Sequence, residues 1–277
     1  MDMGSEIKKR TVIVGKVNVT PNLFLVGQRP SQILLGVFAH PKQIVEKRRA
    51  GWAFVDVLVE GPYIAGRLAR LKPREELVVE DFRTRAEHIP GAVQFYSNFV
   101  LDSDTETIAF EERSTIPPKQ FSSLFGQLCR KIEPNLAWLE VEPRVTRIEL
   151  DRQLARFKII RRARFQLVPS NPTDAPEFQR LDQGLKLSRA IKAKLTASGA
   201  TRAGLDLTVG LVKEALAMVA AGHGDCVLHG LDAENRPHKV YSRDLAVRED
   251  VEVSDAQVSD FLGKFKAIVQ THSSVAE

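Results

Sequence analysis

Apolar and polar positions alternate with a period of two through much of the first 115 residues, and with a period near 3.6 in several segments after them. Thr11 to Thr20 is a β-branched run closed by Pro21-Asn22 and reads as a strand. Ala53 to Glu60 and Tyr63 to Leu71 flank Gly61-Pro62 as two strands around a turn. Gln94 to Leu101 and Thr107 to Glu112 form two more, joined by the polar Asp102 to Glu106. Ile33 to Phe38 fits either period, and Pro41 opens a short helix that runs to Ala50, with Lys47, Arg48 and Arg49 at its end.

Pro117-Pro118 interrupts this strand-rich region. Lys119 to Ile132 then places Phe121, Leu124, Phe125 and Leu128 at helical spacing. Trp138 to Val141 reads as a strand, and Pro169 to Pro176 is a loop with three prolines. Glu177 to Ala197 predicts one amphipathic helix with Phe178, Leu181, Leu185, Ser188, Ile191 and Leu195 on one side and Arg180, Lys186, Arg189 and Lys194 on the other. Val209 to Ala221 predicts a more apolar helix, and Cys226 to Leu231 with His238 to Ser242 a hairpin. Ser254 followed by Gln257 is a capping-box pattern ahead of a last helix whose apolar side carries Val258, Phe261, Leu262, Phe265 and Ile268. The expected fold class is therefore α+β in two lobes. Residues 1–115 form a mostly antiparallel sheet, and residues 116–277 a basic, mixed α/β lobe with long amphipathic helices; the rival boundary is the loop near 169–176.

With 43% hydrophobic and 27% charged residues over 277 positions, the chain has the balance of a folded globular protein with length enough for a sizeable core. Cys129 and Cys226 lack CxxC spacing, which argues against a disulfide framework or a zinc ribbon and suits a reducing cytoplasm. The charged start has no apolar core of a signal peptide, and no stretch approaches the roughly 18 apolar residues of a membrane span. The net charge of +5 is unevenly placed. Arg144 to Arg202 holds 14 Lys and Arg against 5 Asp and Glu, whereas the remainder holds 26 against 30.

That concentration centres on the run Arg156 to Phe165. In an extended conformation Lys158, Arg162 and Arg164 share one face and Phe157, Ile159, Ala163 and Phe165 the other. Arg161 falls on the apolar face, so a bulge is expected to re-aim it. Same-face residues stand about 6.6 Å apart, a workable spacing for neighbouring phosphates, which the planar guanidinium grips bidentately. The bland alternative is a solvated strand whose arginines pair with Glu140, Glu142 or Glu149. The basic helix that follows extends the patch, so the candidate nucleic-acid contacts are Lys158, Arg161, Arg162, Arg164, Lys186 and Arg189. Lacking zinc-finger, RNP or helix-turn-helix signatures, the chain is expected to contact the backbone, in a salt-sensitive and sequence-tolerant manner.

His223, Cys226, His229 and His238 imitate metal-ligand spacing, but strand alternation sends Cys226 and His229 to opposite faces, and core or surface roles are the expectation. Phosphate-loop, HExxH, GxGxxG and GxSxG signatures are missing. Glu111-Glu112 and Glu140-x-Glu142 keep a metal-dependent nuclease open, and a protein-interaction module whose basic stretch meets an acidic partner is a further alternative. No catalytic residue, metal or cofactor is assigned.

The stretches FVDVLVEGPYIAGRL, ETIAFEERSTIPPKQFSSLF and RFKIIRRARFQL, together with the total length, resemble the RexA-type phage-exclusion proteins over about residues 50–240. That resemblance implies a cytoplasmic, self-associating, non-catalytic sensor in antiviral defence. It further implies binding to DNA ahead of RNA as a homodimer, and action with a membrane protein encoded nearby without inserting itself.

Overall fold

The computed structural model describes residues 7–21, 27–39, 45–47, 50–80, 83–170, 175–200, 202–254 and 258–273. The first part of the chain builds β1 (Ile7–Pro21), α1 (Pro30–Ala39), β2 (Val45–Lys47), β3 (Ala50–Glu60), β4 (Tyr63–Glu80), β5 (Arg83–Asp102), β6 (Thr107–Glu111), α2 (Pro118–Ile132) and β7 (Leu136–Pro143). It continues through α3 (Arg147–Leu154), β8 (Ile159–Leu167), α4 (Gln179–Leu187), β9 (Ala193–Ser198), α5 (Gly210–Ala220), β10 (Gly224–Leu231), β11 (Pro237–Tyr241), β12 (Arg248–Ser254) and α6 (Val258–Ser273). The fold is α+β with antiparallel pairing throughout two sheets. The larger has the order β12-β1-β6-β5-β4-β3-β2, with β7 also on β1, and the smaller has the order β11-β10-β8-β9.

Alternation along β1 sends Ile13, Val17 and Val19 to one side and Val12 to the other, and both sides are covered. On the first, α1 and α2 bring Phe38, Phe121 and Phe125 against Phe54, Phe99 and Phe110. Phe110 and Phe121 stack with ring centroids 4.1 Å apart. On the second, Phe261, Phe265 and Val269 of α6 pack on Val12, Ala65, Val100 and Ala109. In the smaller sheet Ala163, Phe165, Leu167, Cys226, Leu228 and Val240 point to an inner face, which Leu150, Phe178, Leu185 and the Ala215–Val219 stretch of α5 cover.

The sheet pairing does not divide at residue 115. β7 pairs with β1 from Gly15 to Pro21, and β12 pairs with it from Ile7 to Ile13. The larger sheet therefore takes strands from both sides of the expected boundary, because β1 offers hydrogen-bonding edges that only later segments satisfy.

Several elements differ from expectation. The helix expected over Pro41 to Ala50 is replaced by a strand at Val45–Lys47, held by pairing with β3; residues 40–44 and 48–49 lie outside the described residues. The single helix expected from Glu177 to Ala197 ends at Leu187. There Ser188 Oγ donates to the carbonyls of Gly184 and Leu185, Arg189 turns to a φ of 53°, and the Ala190 amide returns to Leu185. The remaining residues alternate as β9, so α4 has nine residues and the long basic helix is not formed. α3 was not expected, although Thr146 and Glu149 have capping-box spacing and Thr146 Oγ accepts the Glu149 amide. The capping box expected at Ser254 and Gln257 involves residues 255–257, outside the described residues, as are 171–174 of the proline loop.

Candidate functional site

β8 is the second strand from one edge of the smaller sheet, and its β-branched and aromatic residues suit it to that position. Ala163, Phe165 and Leu167 are buried on the inner face, while Arg162 and Arg164 are exposed on the outer one. On β10, His229 pairs with Arg162 and the next residue, Gly230, pairs with Ile160, so Arg161 is the extra residue of a bulge. The bulge expected at Arg161 is present, and Arg161 is exposed. It also shifts the phase before it, so Ile159 rather than Lys158 stands in phase with Arg162 and Arg164. Gly230 permits this irregularity: a Cβ there would lie 2.0 Å from the Ile159 carbonyl oxygen.

Pairing aligns the outer residues in rows across the four strands. One row runs Tyr241, Val227, Arg164, Thr196, and the next runs Lys239, His229, Arg162, Ser198. A third row on three strands runs Asp225, Gln166, Lys194. Rows are spaced by about 6.8 Å and strands by about 4.8 Å, so the face is about 14 Å wide. Every residue in these rows is exposed or half-buried.

The expected carboxylate partners are engaged elsewhere. Glu140 receives Lys192 Nζ at 2.8 Å, Glu149 receives Arg152, and Glu142 faces Arg243 at 3.5 Å. Asp225, the acidic residue of the rows, is also bound by Arg243. The side chains of Arg161, Arg162, Arg164, Lys194 and Lys239 form no ion pair with any described residue. Lys239 Nζ sits 4.3 Å from the centroid of the Tyr241 ring. The imidazole of His229 is held below its usual pKa by partial burial and by the charges of Lys239, Arg164 and Arg162.

The other expected contacts are placed differently. Lys158 lies before β8 and donates to Asn235 Oδ1 at 3.0 Å. Lys186 is bound at 2.6 Å to the buried carboxylate of Asp182, which also accepts the Ser170 amide and hydroxyl and so fastens the start of the proline loop to α4. Lys186 and Arg189 thus belong to the α4 layer that covers the inner face and do not continue the patch of Arg162 and Arg164. Lys194, Lys239, Tyr241 and His229 take that role. Alternation in Ala193 to Ser198 was the available signal for Lys194; the others share the face only through cross-strand register.

The four residues with metal-like spacing do not converge. Cys226 is buried on the inner face, where burial raises its thiol to about 12, and His229 is on the outer face. His223 is buried, its Nδ1 2.6 Å from Asn18 Oδ1 of β1, and burial, with the charge of Lys16, depresses it to about 3. The His238 ring packs on Phe157. Among the described residues no group of three His, Cys, Asp or Glu side chains is placed to hold a metal ion. None of the described helices is long and apolar enough to cross a membrane.

Glu140 and Glu142 lie where the two sheets meet. Lys192 precedes β9, and Arg243 follows β11 and spans Glu142 of the larger sheet and Asp225 of the smaller. Burial, reinforced by Glu140 and Asp225 and opposed by Arg243, pushes the Glu142 carboxyl up to about 8, against 4.5 when free. Between those values the native protein holds more protons than the unfolded chain. This group's stabilising contribution is therefore full below about pH 4.5 and is lost as the pH rises to about 8. Glu142→Gln is expected to flatten the fall in stability between pH 5 and pH 8, each within about half a unit of those limits, in urea melts; superimposable pH profiles for the variant and the parent would refute the assignment.

Fold and site together define an α+β protein that presents a cation-bearing sheet face which no described element covers. The chain belongs to the DUF4747 family, a domain of unknown function, which matches residues 66–270 and includes every strand of the smaller sheet. No curated protein matches the chain.

Proposed function

We propose that this protein binds nucleic acid in a sequence-tolerant manner, seating a phosphate backbone on the outer face of the smaller sheet. The observation that carries the reading is the set of five cations, Arg161, Arg162, Arg164, Lys194 and Lys239, that no described carboxylate neutralises. Two of them are adjacent arginines at a spacing of about 6.8 Å along one strand. Arginine and lysine in this arrangement meet successive phosphates through charge-assisted hydrogen bonds, and the counterions released supply the affinity. The resemblance to RexA-type proteins extends the proposal to a non-catalytic, homodimeric sensor of phage nucleic acid in the cytoplasm that signals to an encoded partner.

The test is fluorescence anisotropy with labelled DNA, single-stranded and duplex, over a salt series. Five contacts predict that log K falls against log salt with a slope of about −4.5 on duplex and about −3.5 on single-stranded DNA. The DNA is expected to be recovered intact after incubation with magnesium. A slope near zero removes the electrostatic premise, and magnesium-dependent loss of DNA that chelator prevents would favour the nuclease.

A further inference from the structure

The outer face is chemically divided. On β8 and β9 it presents Arg162, Arg164 and Lys194 with the hydroxyls of Thr196 and Ser198. On β10 and β11 it presents Val227, the His229 imidazole and the Tyr241 ring, edged by Lys239. Tyr241 is 43% exposed, and no described residue hydrogen-bonds its hydroxyl. The two halves lie side by side in the same rows, so a charged backbone along β8 has ring and aliphatic surface one strand, about 5 Å, to its side.

A duplex can engage only the charged half of such a surface. Its bases are stacked inside, and their major-groove edges are reached by a helix or a two-stranded ribbon that enters the groove. An unpaired strand presents phosphates on one side and the flat faces of its bases on the other, and aromatic side chains stack on those faces whatever the sequence. Hydroxyls beside the cations suit the phosphate and sugar edge.

We infer that the ligand of this face is a single-stranded nucleic acid, with its phosphates over Arg162, Arg164 and Lys194 and two or three unstacked bases over Val227, His229 and Tyr241. The inference rests on the nucleic-acid reading above and adds the strand state. The division between the halves of the face explains both the polarity of the site and its sequence tolerance.

The experiment uses the full chain with labelled oligo(dT), oligo(U) and a mixed-sequence duplex, each about 12 nucleotides long, a length within the site sizes of single-strand binders. One or both single strands are expected to bind at least about tenfold more tightly than the duplex. Tyr241→Ala is expected to lower single-strand affinity about tenfold and to change duplex affinity less than about twofold, with Tyr241→Phe restoring the parent value. Thermal melts of both variants confirm that the exposed position leaves the fold intact. Equal affinity for duplex and single strand, with Tyr241→Ala neutral, overturns the inference and leaves the phosphate reading standing; binding of no polymer overturns both. The comparison of oligo(dT) with oligo(U) separates DNA from RNA as the source, and preference for either supports the single-strand inference.

Discussion

Reversing Arg162 and Arg164 together to glutamate is expected to lower nucleic-acid affinity by about 100-fold or more at low salt, with the melting temperature unchanged. Each charge-assisted contact to phosphate is worth about 1.5–3 kcal/mol, so losing two removes about 3–6 kcal/mol before repulsion is counted, and 1.4 kcal/mol is a factor of about ten. Both side chains are exposed, neither is paired with a described carboxylate, and their cross-strand neighbours are Thr196, Ser198, Val227 and His229. Surface substitutions of that kind stay within about 0.5 kcal/mol of the parent stability. The control is Arg189→Asn, which keeps a residue tolerant of the left-handed backbone at φ 53° and removes a charge from the α4 side. Its affinity should stay within about twofold of the parent, because loss of one phosphate contact would cost at least about tenfold. Loss of binding with Arg189→Asn and retention with the double reversal would move the interface from the strand face to the helical layer.

The largest effect on stability is expected from Phe125→Ala, with a loss of about 3–5 kcal/mol. Phe125 is fully buried in α2, and its ring stands 5.1 Å from Phe54, 5.4 Å from Phe99, 5.6 Å from Phe121 and 5.9 Å from Phe38. It therefore joins both helices to the sheet they cover, and its removal leaves a cavity lined by rings too large to collapse into it. Urea denaturation measures the loss, and a change below about 1 kcal/mol would show that the larger sheet tolerates separation from α2. Nucleic-acid affinity of the folded fraction should stay at the parent value, since the outer face of the smaller sheet shares no side chain with this core. Parallel loss of both properties would show that the two sheets act as one unit.

Glu142 and Asn18 are the residues through which such coupling would run. Asn18 of β1 binds the Gly222 carbonyl and His223 across more than 200 positions of sequence, and Glu142 meets Arg243 at the same meeting of sheets. Neither arrangement has a local sequence pattern, because each joins segments whose proximity depends on how the strands are ordered.

Where side-chain alternation or helical spacing decides an element, the amino-acid sequence by itself determined it: the strands at 11–20, 53–60, 63–71, 94–101 and 107–112, the helices α2, α5 and α6, and the hairpin of β10 and β11. The bulge at Arg161 was legible for the same reason, since a charged residue in an apolar phase must be re-aimed or neutralised. Helical spacing misled at Glu177 to Ala197, where Leu195 satisfies both periods and only the free edge of β8 selects the strand. Tertiary structure alone decided that β12 and β7 complete β1, that Lys186 is held by Asp182, and that Lys194, Lys239, His229 and Tyr241 join Arg162 and Arg164 on one face. Local pattern records which side chains share an element's face, whereas cross-strand register, which long-range hydrogen bonding sets, records which faces become one surface.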